Sequence, residues 1–535
     1  MKSNKYSHHA FSRVTTVVLG LFFLVSVVLP LISVMTNLKN ADISAIFKHP
    51  QTVPAIFNSI KVTLVATAFS IMLAFAAAWC VNRTGIRGKS VFDVLLVIPM
   101  LIPSISHGTG LIILFGDNGI LKNLLGLKGS IYGFWGIVFG SMMYAFPIAY
   151  LMITDILRYE DSTPYEAAEA LGIPKKNRFF AITLPYLKKP MISVVFAVFT
   201  TIVTDYGVPL MVGGMYKTLP VLMYEEVIHR MNYAKGSVFG LMLLLPAAIA
   251  FLFDLLSGKD RVGNSVAKPF SSEGSRVKRA TAYVVLALIV ACVLLPILSF
   301  IPVALSENYP LDKSPSLRQL SYVMGSKNGL EYLSHSLLVS VIVALVGTLC
   351  ALLCAYMTAR NSSPASRALH LLSITSLAIP GIVLGLSYVL FFKASFIYGT
   401  LAIIILVNII HFFASPYLMV YNSLRKLPPE LEAVGATLGI GKVRLLRDVI
   451  VPQTMGTLLE MFAYFFINSM MTISAVSFLT NYKTELFSLM LPQFDASQTS
   501  LAPPAIVAII ILLVNLLMKG IIGLLKSKLR RSGSR

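Results

Sequence analysis

Charge is what this sequence has least of. Only 13% of its 535 residues are Asp, Glu, Lys or Arg, about half the share of a soluble globular chain. A surface solvated on all sides cannot be built from so few charges, and a disordered chain would need far more of them. Four cysteines (Cys80, Cys292, Cys350, Cys354), all within apolar runs, exclude a disulfide scaffold and point to packing roles. No His, Cys, Asp and Glu cluster has metal-ligand spacing, and no nucleophile lies in a pattern with a base. The chain is therefore expected to have no metal centre and no catalytic residues of its own. It also lacks G-x-x-x-x-G-K-[ST]. Gly439-Ile-Gly441-Lys442 echoes it without the spacing or the hydroxyl residue.

What the sequence has is apolar length. Residues of hydrophobic type make up 56%, and runs of about 20, enough to cross a bilayer, fall at 14–36, 58–81, 91–115, 131–153, 191–213, 236–257, 281–304, 336–359, 371–392, 399–421, 457–479 and 503–525. An all-α polytopic membrane protein of about 12 spans follows, with both termini on one side. If that side is the cytoplasm, 30 of the 44 Lys and Arg residues lie inside and 13 outside, which is the positive-inside bias. The net charge of +21 is thereby a membrane property rather than a nucleic-acid footprint. The basic tail Lys526, Lys528, Arg530, Arg531, Arg535 suits the anionic inner leaflet. The first run exceeds a signal-peptide core of 7–15 residues and ends without a clear cleavage site, so it reads as a retained helix.

The two halves repeat. Asn58-Ser59 matches His335-Ser336 and Ile102-Pro103 matches Ile379-Pro380, both 277 residues apart; Pro147 matches Pro416 at 269, and Pro185 matches Pro452 at 267. The surplus of the first half falls around Gly116–Ser130. The expected organisation is a first transmembrane unit at 1–257, a cytoplasmic linker at 258–280 rich in basic residues, Gly and Ser, and a second unit at 281–535. Each unit opens with one span and an external segment (37–57, 305–335) carrying short helices. The five spans that follow hold the best matches, from 58 and from 335.

The loop between spans four and five is the most patterned part of the chain. In Asp161-Ser-Thr-Pro-Tyr-Glu-Ala-Ala-Glu-Ala-Leu-Gly172, Thr163 is placed to cap a helix, with Pro164 at its first position and Glu166 three residues on. Gly172 suits the left-handed residue that ends it. A second helix is expected from Lys175 to Thr183, ended or kinked by Pro185. The alanines Ala167, Ala168 and Ala170 leave room for another protein to approach. Glu166-Ala167-Ala168, then Gly172, then nine residues and Ile182-x-Leu184-Pro185 resembles the EAA loop of binding-protein-dependent (type I) ABC importer permeases. The second half repeats it from Glu432-Ala433 through Gly439 to Val449-x-Val451-Pro452, with the acid seven residues before the glycine instead of six. The resemblance implies that each loop supplies a coupling helix to an ATP-hydrolysing subunit: Glu166, Ala167, Ala168 and Gly172 in one, Glu432, Ala433 and Gly439 in the other. It implies two copies of a separate ATPase, an extracytoplasmic binding protein, a plasma-membrane location, and no cofactor in this chain, ATP being used by the partner. Because the second loop lacks the capping box and has Gly435 inside its helix, it is expected to be the less ordered of the two.

Charged groups within spans cost about 2.5–3.5 kcal/mol at a helix centre. Asp205, in Thr204-Asp205-Tyr206-Gly207-Val208-Pro209, either lines the outer end of a pathway opened where Gly207 and Pro209 break the helix, or snorkels to the interface. Tyr206 and Ser474 are the companion path candidates. His107 and His411 read as interhelical hydrogen-bonding residues, and Glu460 as interfacial. The 204–209 segment, Gly213-Gly214, Tyr224, Leu243-Leu244-Leu245-Pro246, Met471-Thr472-Ile473-Ser474-Ala475-Val476 and Phe478-Leu479 are most similar to the permeases serving 2-aminoethylphosphonate and ferric iron, with thiamine permeases more distant. The competing reading is an ion-driven secondary transporter with a six-plus-six repeat. It predicts an acid in the loop after span two, and Asn82–Lys89 has none.

Overall fold

The computed structural model describes residues 2–256, 275–361, 363–497 and 500–533. Among these, nine helices are long and apolar enough to cross a membrane, and twelve spans result when each of three bent helix pairs is counted as one. The only strands among the described residues form a small hairpin, Ser306–Asn308 with Asp312–Pro315, in the external segment where only short helices were expected. Residues 258–274 of the expected linker (258–280) lie outside the described residues, but its end is helical: span seven begins at Arg276, capped by the Ser275 hydroxyl.

Two pairs of helices carry the repeat without a change of length. Ser104–Phe115 and Gly381–Phe392 are both 12 residues long and 277 apart; Leu184–Val203 and Val451–Met470 are both 20 long and 267 apart. Spans three and nine break at the matched Ile-Pro pairs, bending by 99° and 111°. Proline has no N–H to give the ladder and disfavours helix at the residue before it. Beyond each break the new helix comes close to a neighbour through a glycine. A Cβ on Gly108 would meet Met211, and one on Gly385, its equivalent, would meet the Ala475 carbonyl at 2.6 Å.

The matched Asn58-Ser59 and His335-Ser336 pairs are clasps. Ser59 Oγ accepts the Leu219 N–H at 2.8 Å and Asn58 donates to the Lys217 carbonyl. Ser336 Oγ accepts the Phe487 N–H at 2.8 Å, and His335 Nδ1 lies 3.2 Å from the Glu485 carbonyl oxygen. The outer end of the second span in each half is thus tied to the chain that follows span five or eleven. The first spans are exchanged between halves. Span one packs on the second half, where Tyr388 donates to the Ser26 carbonyl, and span seven packs on the first, where the Tyr283 hydroxyl meets the backbone of Arg87.

Two span boundaries are corrected. Span five ends at Val203 and span eleven at Met470, ten and nine residues before the apolar runs do, because the chain turns back into short helices and turns. Pro185 does not end its helix: Phe179–Thr183 forms a π turn that continues into Leu184–Val203, and Leu446–Ile450 leads into Val451–Met470 in the same way. The wider turn accommodates the missing proline N–H.

Candidate functional site

The first patterned loop forms a helix at Thr163–Ala170, but not with the expected cap. The cap position is Ser162, whose hydroxyl donates to Glu166 Oε1 at 3.2 Å, while Thr163 gives both its N–H and its hydroxyl to Asp161 Oδ1. Asp161, two residues upstream, outcompetes the capping box because its carboxylate already closes a turn on Thr163. The other end is as expected. Gly172 is left-handed at φ +70°, Ile173 N–H reaches the Ala168 carbonyl and Gly172 N–H the Glu169 carbonyl, a Schellman ending. The second helix, Leu431–Thr437, ends identically: Gly439 at φ +71°, Ile440 N–H to Gly435, Gly439 N–H to Ala436.

Superposing the two endings pairs Ala168 with Gly435, both buried, and Glu166 with Ala433, both exposed. Glu432 therefore falls opposite Tyr165, not Glu166, and is half-buried against Arg360. Ala167 is exposed as well. Each helix also presents a leucine the sequence reading missed, Leu171 and Leu438, 78% and 69% exposed at matching positions.

Away from these loops a cavity of about 80 Å³ lies between the halves, room for several waters or a small ion. Its walls are the break segments: Pro103-Ser104 and Asp205-Tyr206 from the first half, Phe412, Thr472 and Ser474 from the second, with Tyr144, His411 and Asn468. Asp205, Tyr206 and Ser474, all picked from sequence, meet here. Asp205 does not snorkel to the interface; its carboxylate accepts the N–H groups of Gly207 at 3.3 Å and Val208 at 3.0 Å, satisfying the start of the helix Gly207–Val212. The helix break thus lies at 204–206, just ahead of Gly207. Ser477 gives its hydroxyl proton to the Ile473 carbonyl, so Tyr206 donates to Ser477 Oγ at 2.7 Å across the halves. Behind the cavity-lining Tyr206, rings from both repeats stack in series, Tyr206 on Tyr224 and Tyr224 on Phe478. Nearby, burial raises the Glu485 carboxyl to about 7, against a lowering hydrogen bond from Gln493.

Neither histidine makes the interhelical hydrogen bond expected of it. His107 is buried edge-on against Tyr144 at 5.7 Å, and His411 lines the cavity with Nδ1 unpartnered. Glu460 is exposed and paired with Lys526, as an interfacial residue should be. Tyr144, Asn468 and His411 were missed as cavity residues. The available signal was their polarity inside apolar runs close to Pro147, Pro416 or the end of span eleven.

The profile of the binding-protein-dependent transport system inner membrane component matches this chain twice, at residues 66–259 and 347–531. The ferric transport system permease protein FbpB of Actinobacillus pleuropneumoniae is 22% identical over 81% of this chain and 65% of its own length. The Fe(3+)-transport system permease protein FbpB 2 of Haemophilus influenzae is 22% identical over 86% of this chain and 88% of its own. The sulfate transport system permease protein CysT of Escherichia coli is 25% identical over 46% of this chain but 91% of itself, so it has the length of one half. With two copies of the family unit and nine to twelve apolar spans among the described residues, the chain belongs to the binding-protein-dependent transport system inner membrane component family and is a multi-pass plasma-membrane permease.

Proposed function

We propose that this permease forms the path of an ATP-driven importer. A binding protein delivers a small solute outside, and two copies of an ATPase dock on the helices Thr163–Ala170 and Leu431–Thr437. Glu166, Ala167 and Ala433 face outward there, with Leu171 and Leu438 as apolar anchors. Energy enters through these loops, since the chain carries no nucleotide motif of its own.

The cargo reading rests on one observation. The cavity between the halves is lined by one carboxylate, Asp205, and by hydroxyl, phenol, amide and imidazole groups, with no Lys or Arg among the described residues lining it. A dianion would have to sit beside that carboxylate without a compensating charge, at a steep cost in a low dielectric. A hard cation finds oxygen ligands, so ferric iron is the favoured cargo. 2-Aminoethylphosphonate, whose ammonium alone suits the site, comes second. The test is ATP-driven uptake of labelled ferric iron, sulfate or 2-aminoethylphosphonate into vesicles holding the permease, ATPase and binding protein. Iron uptake should saturate, and Asp205→Asn should lower it at least about tenfold without altering assembly. Wild-type uptake by Asp205→Asn, or preferential sulfate transport, would overturn the cargo reading.

A further inference from the structure

Two arginines 277 residues apart occupy the inner ends of the second span of each half. Arg83 is the last residue of Thr52–Arg83, and Arg360 caps Gly329–Ala359. Each turns toward its own loop helix. Arg83 pairs with Glu160, the two side chains only 4% and 2% exposed. Glu160 accepts from the Tyr165 hydroxyl, which also meets Thr183 Oγ1, and the Arg83 guanidinium lies over the Tyr165 ring at 5.9 Å. Burial raises the Tyr165 phenol, keeping it protonated as a donor. In the second half Arg360 donates to the Pro428 and Leu427 carbonyls and pairs with Glu432 at 3.3 Å.

The acid has moved while the pairing has stayed. Aligned on the terminal glycines, Glu432 stands where Tyr165 does, and Leu427 where Glu160 does. In the first half the arginine reaches the helix through Glu160 and Tyr165; in the second it grips an acid on the helix itself. One carboxylate neutralises one buried guanidinium each time, as its burial demands.

At its outer end the same span is clasped by Ser59 or Ser336 to residues 217–219 or 485–487, which follow the break segments lining the cavity. The second span is a helix of 32 residues in one half and 31 in the other, about 47 Å of hydrogen-bonded rod. We infer that Arg83 and Arg360 are positioning residues that lock each loop helix to this rod, so that displacement of a loop reaches the outer wall of the cavity through spans two and eight. This inference rests on the proposed ATPase docking for its source of motion, but the lock itself belongs to this chain.

Hydrogen exchange on the permease alone and in complex with the ATPase, with and without ATP and vanadate, tests it. In the permease alone, Arg83→Gln should speed exchange across 163–170 by about tenfold or more and leave 431–437 unchanged, and Arg360→Gln the reverse. In the complex, nucleotide trapping should alter exchange at 217–228 and at 485–490. Arg83→Gln should abolish the first response only, and Arg360→Gln the second only. Glu160→Gln and Glu432→Gln should reproduce their partners' effects, and Arg360→Glu combined with Glu432→Arg should restore the second response. Outer segments that respond fully in the arginine variants, or loops whose exchange is unmoved, would overturn the lock. Native mass measurement separates the two ideas: a wild-type permease that binds no ATPase refutes the docking, whereas the exchange of the free permease still decides whether the lock exists.

Discussion

Gly435 gives the sharpest test of how the second loop holds its shape. It lies three residues from the end of the helix that Gly439 terminates, in helical conformation, and its carbonyl takes the Ile440 N–H. A Cβ built there would find the Leu445 methyls at 3.5 and 3.6 Å, ordinary contact with no overlap. Gly435→Ala therefore removes the cost of an interior glycine, about 1 kcal/mol, and adds no clash. Its repeat partner is already alanine, Ala168, buried at 4%. A gain of about 1 kcal/mol is roughly fivefold in an opening equilibrium, so amide exchange across 431–438 in the free permease should slow by about that factor. The extra protection conferred by the ATPase should shrink equally, because the free helix starts out more ordered. Gly439→Ala must act in the opposite direction, since φ +71° costs an L-residue about 1–2 kcal/mol. Unchanged or faster exchange in Gly435→Ala would refute the idea that backbone freedom at this residue limits the loop.

Two further outcomes follow from the outer half of the molecule. A Cβ on Gly381 would overlap the Ser474 hydroxyl and approach His411 Cε1 to 2.7 Å. Gly381→Ala should therefore lower the thermal midpoint, at a cost of about 1–3 kcal/mol, and adding Ser474→Gly should recover part of the loss but not the His411 share; no loss in the single variant would disprove the contact. Glu485, raised by burial to about 7 from 4.5, holds its proton more tightly folded than unfolded, so its contribution is complete below about pH 4.5 and is lost as pH rises through 7. Thermal stability should fall between pH 5 and pH 8 and Glu485→Gln should flatten that slope, whereas an identical slope in the variant would exclude Glu485 as its source.

The sequence was most readable where the backbone has few options. The Ile-Pro pairs 277 residues apart marked the repeat but were not read as breaks in spans three and nine, whereas Gly172 and Gly439 marked the helix ends, because a left-handed φ admits little choice. Apolar length located the spans but overran spans five and eleven, since residues 207–212 and 472–479 are as apolar inside a folded-back segment as in a helix crossing lipid. The Thr163 cap was misplaced because Asp161 and Ser162 compete for the same turn, and periodicity does not rank three adjacent capping residues. Both histidines were assigned partners they lack, since polarity within a span says that a group must be explained, not whether a neighbour or a cavity explains it. Arg83 and Glu160, 77 residues apart, were invisible: nothing local reports which acid an arginine will find.

The two halves preserve contacts more faithfully than residues, and this bears on how cargo is held. Ser104 lies against Gly207 in the first half, and Gly381 against Ser474 in the second. These are the same two positions of the repeat with serine and glycine exchanged, so each interface keeps one side chain's worth of volume. Arg83 and Arg360 likewise keep one carboxylate each while its source moves. Such exchanges are neutral for packing, but at the cavity they are not neutral for chemistry. Asp205 has Thr472 as its repeat equivalent, and Tyr206 has Ile473, so the acid and the phenol stand on one wall while the facing wall offers hydroxyls. A symmetric pair of acids across so small a space would repel and force one to keep its proton. A single acid, its carboxylate accepting the N–H groups of Gly207 and Val208, has no such neighbour, and it belongs to the first half alone. Two identical halves would have to carry both acids or neither, whereas halves that differ in sequence, as the two units of this chain do, can place the acid on one wall only.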